Sequence, residues 1–182
     1  YVFTFKGIGG HSFSDFGRPS AVHAAVRAAA KIAELEVPKD PKTTFNIGLI
    51  EGGTLPTVIA EACSMKVDIR SNSAAKLEEL NTKILELIKK AIAIENGRTD
   101  NTEEYVKLEI ELIGNRPAGT QDVHHVIVQS SKIVIEALGM SANLKGASST
   151  DANVPISLGI PAITIGGGGK AGNIHSLSEW YD

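Results

Sequence analysis

A strict alternation of apolar and polar side chains over residues 62–70 constrains the fold more than any other feature of the sequence. The apolar positions are Cys63, Met65, Val67 and Ile69, and the polar positions are Ser64, Lys66, Asp68 and Arg70. Because successive side chains of a strand point to opposite faces, the two groups lie on opposite sides of one strand. A strand that is buried on one face only is typical of an antiparallel sheet.

Two amphipathic helices and three further strands are predicted around this strand. The first helix begins near Pro19, and its apolar stripe consists of Val22, Ala25, Val26, Ala29, Ile32 and Ala33. The second helix is capped by Ser73 and ends at Gly97, and its stripe consists of Leu77, Leu80, Ile84, Leu87, Ile88 and Ala91. The other strands are predicted at residues 1–5, 43–50 and 105–112.

The resulting order, β-α-β-β-α-β, predicts an α+β fold for residues 1–113. This is the order of a ferredoxin-like domain, in which two helices cover one face of an antiparallel sheet.

Residues 114–182 follow a different pattern. Helices are predicted at about 123–138 and 151–158, and an apolar strand at 160–165 opens into a glycine loop. These elements suit an α/β domain but are too few to build a sheet, so we predict an incomplete segment of a larger α/β domain. The chain starts within a predicted strand and ends where a helix is expected to begin, so we expect further chain on both sides.

Composition argues against several classes of partner. The formal net charge of −3 comes from well-mixed signs, which do not suit the neutralisation of nucleic-acid phosphates. Cys63 is the only cysteine and is expected to be a buried thiol, so neither an internal disulfide nor a cysteine zinc cluster can form. No apolar run approaches the roughly 20 residues of a membrane helix. We expect no nucleic-acid or membrane partner, and a cytoplasmic location is favoured.

The glycine-rich loops do not match nucleotide-binding motifs. Residues 7–12 carry Ser12 where the dinucleotide fingerprint requires glycine or alanine. Around Lys170, a phosphate-binding loop would need glycine at position 164 and Ser or Thr at position 171, but the sequence has Thr164 and Ala171. A serine-hydrolase interpretation also fails, because the sequence contains no Gly-x-Ser-x-Gly turn.

Two of the five histidines lie in glycine-flanked loops that suit a functional role. Backbone freedom beside glycine lets a side chain approach a ligand closely, so His11 and His175 are candidates. His124 and His125 are expected at the solvated start of a helix, and His23 is expected to be structural.

Other polar residues have two interpretations. Arg70 can hold a substrate carboxylate in a bidentate pair or form a salt bridge with Asp68. The Ser-Ser-Thr-Asp stretch at residues 148–151 is expected to cap a helix, and Ser176 with Glu179 fits a capping box.

Six short motifs follow one another in the order that a single enzyme family shows. They are Gly9-Gly10-His11-Ser12, Gly52-Gly53-Thr54, Val67-Asp68-Ile69-Arg70, Ser149-Thr150-Asp151-Ala152-Asn153, Gly159-Ile160-Pro161-Ala162 and His175-Ser176. Over nearly its whole length the chain resembles the dinuclear zinc hydrolases that include peptidase T, aminoacylase, succinyl-diaminopimelate desuccinylase and glutamate carboxypeptidase. In that family a ferredoxin-like lid, which commonly pairs into a dimer, is inserted into an α/β zinc domain.

The resemblance implies roles for five residues. His11 would be the lid histidine that hydrogen-bonds the scissile carbonyl and the oxyanion, often in the active site of the partner subunit. Arg70 would bind the substrate carboxylate, and Thr57 stands where the family usually has an asparagine that touches substrate. Ser149 would line the substrate pocket, and His175 would be a terminal zinc ligand.

The resemblance also implies two Zn²⁺ ions per active site and hydrolysis of a peptide bond or of an N-acyl amino acid. The family's other zinc ligands and its general-base glutamate are expected before Tyr1. We therefore predict that residues 1–182 alone bind no zinc pair and have no peptidase activity. The alternative is a non-catalytic module that pairs subunits or binds a partner, but the presence of His11, Arg70 and His175 together favours chemistry.

Overall fold

The computed structural model describes residues 1–146 and 148–182, which form two compact units, Tyr1–Ala118 and Gly119–Asp182. In the described part of the chain, no helix has both the length and the apolar character needed to cross a bilayer.

The first unit consists of short and long strands, two α-helices and one turn of 3₁₀-helix at Thr102–Glu104. The strands are β1 (Val2–Lys6), β2 (Gly10–His11), β3 (Thr43–Gly52), β4 (Val58–Ile59), β5 (Ala62–Ser71) and β6 (Lys107–Glu111). The helices are α1 (Ala21–Ala33) and α2 (Ala74–Asn96). Ser73 caps α2 by accepting a hydrogen bond from the backbone N–H of Lys76, as the sequence predicts.

Four strands form one antiparallel sheet in the order β3-β5-β1-β6. Phe3, at the centre, lies opposite Met65 on one side and Ile110 on the other. The register of β3 against β5 shifts by one residue between Ile47 and Leu49, which marks a β-bulge in the edge strand. The strand order is that of a ferredoxin-like sheet, so the predicted α+β fold is confirmed.

The hydrophobic core lies between the helices and the apolar face of the sheet. Phe3 and Phe5 of β1 and Met65 of β5 are fully buried. The residues of α2 in this core are Leu80, Ile84, Ile88 and Ala91. Each fully buried large apolar side chain contributes roughly 1.5–3 kcal/mol, so this layer supplies most of the stability of the unit. Cys63 is buried as predicted, and burial raises the pKa of its thiol.

The buried face of helix α1 agrees in part with the predicted stripe, since Ala25, Ala29 and Ile32 are buried and Val22 packs against the core. Its buried residues are Ala21, Ala24, Ala25, Ala28, Ala29 and Ile32. Val26 is 53% exposed and Ala33 is also exposed, so these two members of the predicted stripe lie outside the core. Five of the six buried residues of α1 are alanines, so this helix contacts the core mainly through small side chains.

Glu95 is a fully buried carboxylate that joins the end of α2 to the start of α1. Its Oε1 accepts a hydrogen bond from the buried backbone N–H of Ser20 at 3.1 Å, and its Oε2 accepts from Nε of Arg27 at 3.1 Å. His23 Nδ1 and Arg98 Nε lie 3.4 and 3.7 Å from Oε1. His23 is therefore structural, as expected, and Glu95 is a polar centre that the apolar pattern of α2 does not reveal.

Replacement of Glu79 by glutamine is expected to remove a pH-dependent part of the stability. Hydrogen bonds from Lys76 and Lys83 lower the pKa of Glu79 from 4.5 to about 2. A lowered folded-state pKa stabilises the fold above the unfolded-state pKa, and this contribution is lost as the pH falls toward 2. Urea unfolding should show wild type more stable than Glu79→Gln at pH 6, with the difference much smaller near pH 2 and lost only below it. An equal difference at both pH values would contradict the assignment.

The second unit contains α3 (Val126–Ala137), α4 (Asn153–Ser157) and two short strands, β7 (Ala171–Gly172) and β8 (Trp180–Tyr181), which pair antiparallel. The strand predicted at 160–165 is not formed, because a buried parallel strand needs neighbouring strands and this unit offers none there. The prediction that a helix begins at the end of the chain is also wrong, because β8 occupies that position.

The two predicted helix caps in this unit do not form. Helix α4 begins after Ala152, which makes no side-chain cap hydrogen bond, so the cap predicted within 148–151 is wrong. Ser176 and Glu179 lie in a turn rather than at a helix start. The Glu179 carboxylate does accept from a backbone N–H four residues earlier, so part of the capping geometry exists without the helix.

Candidate functional site

His11 lies in a small two-stranded sheet that the sequence pattern does not predict. Strand β2 pairs antiparallel with β4, so that His11 lies opposite Val58 and Gly10 opposite Ile59. Gly9 precedes this pair with a φ of 72°, a conformation that favours glycine. Strands of two residues carry too little periodicity to be recognised from sequence.

The imidazole of His11 is oriented by its own loop. Nδ1 accepts hydrogen bonds from the backbone N–H groups of Phe13 and Ser14, at 3.2 and 3.3 Å. A neutral imidazole whose Nδ1 accepts carries its proton on Nε2. His11 is exposed, and within residues 1–146 and 148–182 no hydrogen bond to Nε2 is formed, so Nε2–H is available as a donor.

Within the first unit, the predicted site residue Thr57 lies beside His11. Its carbonyl oxygen accepts a hydrogen bond from the backbone N–H of Ser12 at 2.9 Å. Thr57 also directly precedes β4, whose Val58 faces His11. The structure therefore brings His11 and Thr57 to the same loop cluster.

Arg70 lies at the opposite end of the unit. Strand β5 begins at Ala62, beside the loop of His11, and Arg70 follows eight residues later on the same strand. At about 3.3 Å per residue this separates the two ends by about 26 Å. Arg70 therefore lies about one strand length away from the end of β5 that is next to the loop of His11.

The guanidinium of Arg70 is paired with Asp68, as the simpler of its two interpretations predicts. Nε donates to Asp68 Oδ2 at 2.7 Å, and both side chains are more than half exposed. Exposed pairs of this kind contribute at most about 1 kcal/mol. A carboxylate ligand could therefore replace Asp68 at little cost.

Ser149 and His175 belong to the second unit, and both are exposed. His175 adopts a φ of 66°, which is uncommon for a residue with a side chain. Its backbone N–H donates to Glu179 Oε2 at 3.2 Å, which holds the turn in this conformation. The contact binds the carboxylate to the backbone and leaves the imidazole exposed.

The donors in this chain do not fit a zinc pair. No group of three or more His, Cys, Asp or Glu side chains that could hold a metal ion occurs in the part of the chain that the structure describes. A catalytic zinc ion needs about three protein ligands in addition to water. His175 supplies one imidazole, so any such site requires ligands from outside these residues.

Sequence reasoning missed two residues that shape the loop of His11. The backbone N–H of His11 donates to Asp15 Oδ2 at 2.7 Å, and Arg18 Nη2 lies 3.3 Å from Asp15 Oδ1. The only available signal was an acidic and a basic residue three positions apart after the histidine, which by itself is common.

Comparison with known proteins identifies the first unit. Residues 1–95 match the family model of the peptidase dimerisation domain. The chain is also 28% identical over 161 residues to the uncharacterized protein YqjE of Bacillus subtilis, an alignment that covers 88% of this chain and 40% of that protein. The chain thus spans less than half of the length of this relative.

Solved structures of peptidases and amidohydrolases share the fold. A tripeptidase from Staphylococcus aureus has a TM-score of 0.71 at 20% identity, covering 98% of this chain and 44% of its own. Aminopeptidase PepT from Bacillus cereus has a TM-score of 0.66 at 24% identity, covering 98% and 45%. An aminobenzoyl-glutamate utilization protein from Klebsiella pneumoniae has a TM-score of 0.68 at 17% identity, covering 86% and 38%. With its dimerisation-domain model matched over 95 of 182 residues, this chain belongs to the M20 family of peptidases.

Proposed function

We propose that residues 1–182 are the lid and part of the catalytic domain of a hydrolase that cleaves a peptide bond or the amide of an N-acyl amino acid. The observation that carries the proposal is the geometry of His11, whose Nδ1 is held by two backbone N–H groups and whose Nε2–H is exposed. A donor held in this way can stabilise the negative charge that develops on a carbonyl oxygen during attack.

The length of β5 supports a proposal that His11 and Arg70 of one chain serve different active sites. Arg70 lies about 26 Å along the strand from Ala62, which is the end next to the loop of His11, and this span is longer than a small substrate. In a symmetric pair, each active site would receive Arg70 from one subunit and His11 with Thr57 from the other. Arg70 would bind the substrate carboxylate, Thr57 would donate or accept through its hydroxyl, and Ser149 would line the pocket.

The exposed edge of the first unit supports pairing with a second copy. Strand β3 is an edge of the sheet, and the groove between β3 and α1 has a volume of about 460 Å³. Val26, Leu49 and Ile50 in this groove are all at least one-third exposed, although they are apolar. Two copies of such an edge can join antiparallel about a two-fold axis and cover each other's apolar residues.

A zinc pair in the proposed hydrolase would take His175 as one ligand and its remaining ligands from chain outside residues 1–182. The chemistry that such a centre would supply is polarisation of the substrate carbonyl and activation of water. The part of the reaction that this chain performs is to donate a hydrogen bond from His11 and to hold the substrate with Arg70.

The proposal is tested by comparing two proteins. Residues 1–182 alone are expected to bind no stoichiometric zinc pair and to hydrolyse neither dipeptides nor N-acyl amino acids, because the ligand set is incomplete. The protein encoded by the complete gene is expected to bind about two zinc ions per chain and to lose its activity with a chelator. Metal analysis and amino-acid release measure both. Turnover by residues 1–182 alone, or its absence from the complete protein under metal saturation, would overturn the proposal.

A non-catalytic pairing module is the second candidate, and the apolar groove beside β3 favours it. This candidate predicts that the complete protein forms dimers but hydrolyses no amide substrate. Sedimentation measured alongside the hydrolysis assay distinguishes the two functions.

A further inference from the structure

We propose that Asp15 and Arg18 are positioning residues for His11 and that they hold its imidazole with Nε2–H turned away from the loop toward the substrate. This inference rests on the proposed function, because it concerns how the hydrogen-bond donor of that reaction is aligned. A histidine on an isolated loop would sample several rotamers and both neutral tautomers, only one of which presents Nε2–H.

His11 and Asp15 are joined by a reciprocal pair of hydrogen bonds across the turn. The backbone N–H of His11 donates to Asp15 Oδ2 at 2.7 Å, and the backbone N–H of Asp15 donates to the carbonyl of His11 at 2.9 Å. These bonds close a turn in which the N–H groups of Phe13 and Ser14 both reach Nδ1 of His11. The arrangement resembles a capping box, since side chains at both ends of the turn satisfy backbone groups.

Arg18 attaches this turn to the rest of the unit. One of its terminal nitrogens, Nη2, lies 3.3 Å from Asp15 Oδ1 and 3.4 Å from Glu104 Oε1. The other, Nη1, donates to the carbonyl of Gly9 at 2.9 Å. The Arg18 side chain is only 23% exposed. Its guanidinium therefore joins three points of the chain in a partly desolvated site, where charge pairs are stronger than in water.

Gly10 shows how closely this pair packs against the backbone beside His11. A Cβ atom at Gly10 would lie 2.7 Å from Arg18 Nη1 and 2.9 Å from Asp15 Oδ2. Its φ of 154° also favours glycine. The absence of a side chain at Gly10 thus leaves room for the ion pair of Asp15 and Arg18, which packs against the backbone beside His11.

The simpler alternative is that Asp15 and Arg18 only stabilise the loop. A purely structural role would lower the stability of the unit and leave the tautomer of His11 and the balance between kcat and KM unchanged. A positioning role changes both of these quantities while the protein stays folded.

The first test is the tautomer of His11 in residues 1–182, observed by long-range ¹H–¹⁵N NMR of the ¹⁵N-labelled protein. His11→Gln identifies the signals of this ring among the histidines. Wild type should show one tautomer, protonated on Nε2. Asp15→Ala should give a mixture, while Asp15→Asn, which keeps an acceptor for the N–H of His11, should remain near wild type. Glu79→Ala, which removes an ion-paired carboxylate elsewhere, should change nothing. A tautomer mixture in wild type, or unchanged signals in Asp15→Ala, would overturn the proposal.

The second test is the kinetics of the complete hydrolase. Asp15→Ala and Arg18→Ala are expected to lower kcat by about ten- to a hundred-fold with KM changed less than about two-fold, because a misplaced donor loses transition-state contacts. Asp15→Asn should recover most of kcat. Loss confined to thermal stability would overturn the positioning role. Absence of activity in wild type would instead refute the proposed function, and the NMR result would still decide the role of Asp15.

Discussion

Replacing His11 with alanine is expected to lower kcat of the proposed hydrolase by about a hundred-fold or more and to change KM much less. The reason is that Nε2–H would meet the carbonyl oxygen most strongly when that oxygen carries charge, so its loss raises the barrier more than it weakens binding. Steady-state kinetics on an N-acyl amino acid or a tripeptide measures both constants. His124→Ala is the matched control, since His124 is an exposed histidine at the start of a helix. A loss below about three-fold would show that His11 is not the donor.

Mixing two inactive variants tests which subunit supplies His11. A heterodimer of His11→Ala and Arg70→Ala subunits has one active site with both side chains intact only if His11 acts across the subunit boundary. Random exchange of subunits should therefore restore about a quarter of the wild-type activity. If His11 served its own subunit, every site in the mixture would lack one side chain and activity would not return.

Replacing Glu95 with alanine is expected to lower the free energy of unfolding of the first unit by about 3 kcal/mol. The change leaves the buried N–H of Ser20 without its acceptor and removes the charge that Arg27 and His23 approach. We expect a smaller loss of unfolding free energy than for a fully buried ion pair, because the side chains of Arg27 and His23 are about half exposed. Urea unfolding measures the difference directly, and the midpoint of thermal unfolding should fall by about 10 °C or more.

Two further variants show whether the buried carboxylate causes this loss. Glu95→Gln retains an acceptor for the N–H of Ser20 and loses only the charge, so its cost should be smaller than that of Glu95→Ala. Glu34→Ala removes an exposed carboxylate that pairs with Lys31 at 2.8 Å, and it should cost less than about 0.5 kcal/mol. Equal losses for Glu34→Ala and Glu95→Ala would mean that burial of Glu95 is unimportant.

Periodicity was sufficient to predict the main sheet and its two helices. The alternation of residues 62–70 predicted the strand that the structure shows as β5 at Ala62–Ser71. The spacing of Leu80, Ile84 and Ile88 predicted the buried face of α2. These signals are reliable because burial on one face requires a fixed repeat of apolar residues. In α1 the same reasoning was right for Ala25, Ala29 and Ile32 but wrong for Val26, because alanines on both sides of the predicted stripe blur its boundary.

The candidate site was harder to predict because its geometry depends on few residues and on long-range partners. His11 and Thr57 were singled out by resemblance, but the pairing of β2 with β4 that joins them spans only two residues per strand. The links from Glu95 to Ser20 and from Arg18 to Glu104 connect residues 75 and 86 positions apart, and no local pattern encodes such contacts. In the second unit, residues 160–165 have strand character without the neighbouring strands that would pair with them.

The two edges of the main sheet are unequal, and this difference bears on the proposed pairing of two copies. Strand β3 offers ten residues beside an apolar groove, whereas β6 offers five, with Lys107, Glu109 and Glu111 along it. Charged side chains on a short outer strand discourage the addition of another chain. If two copies join through β3 as proposed, the isologous contact would close on itself, so growth would end at two subunits and no open fibre would form.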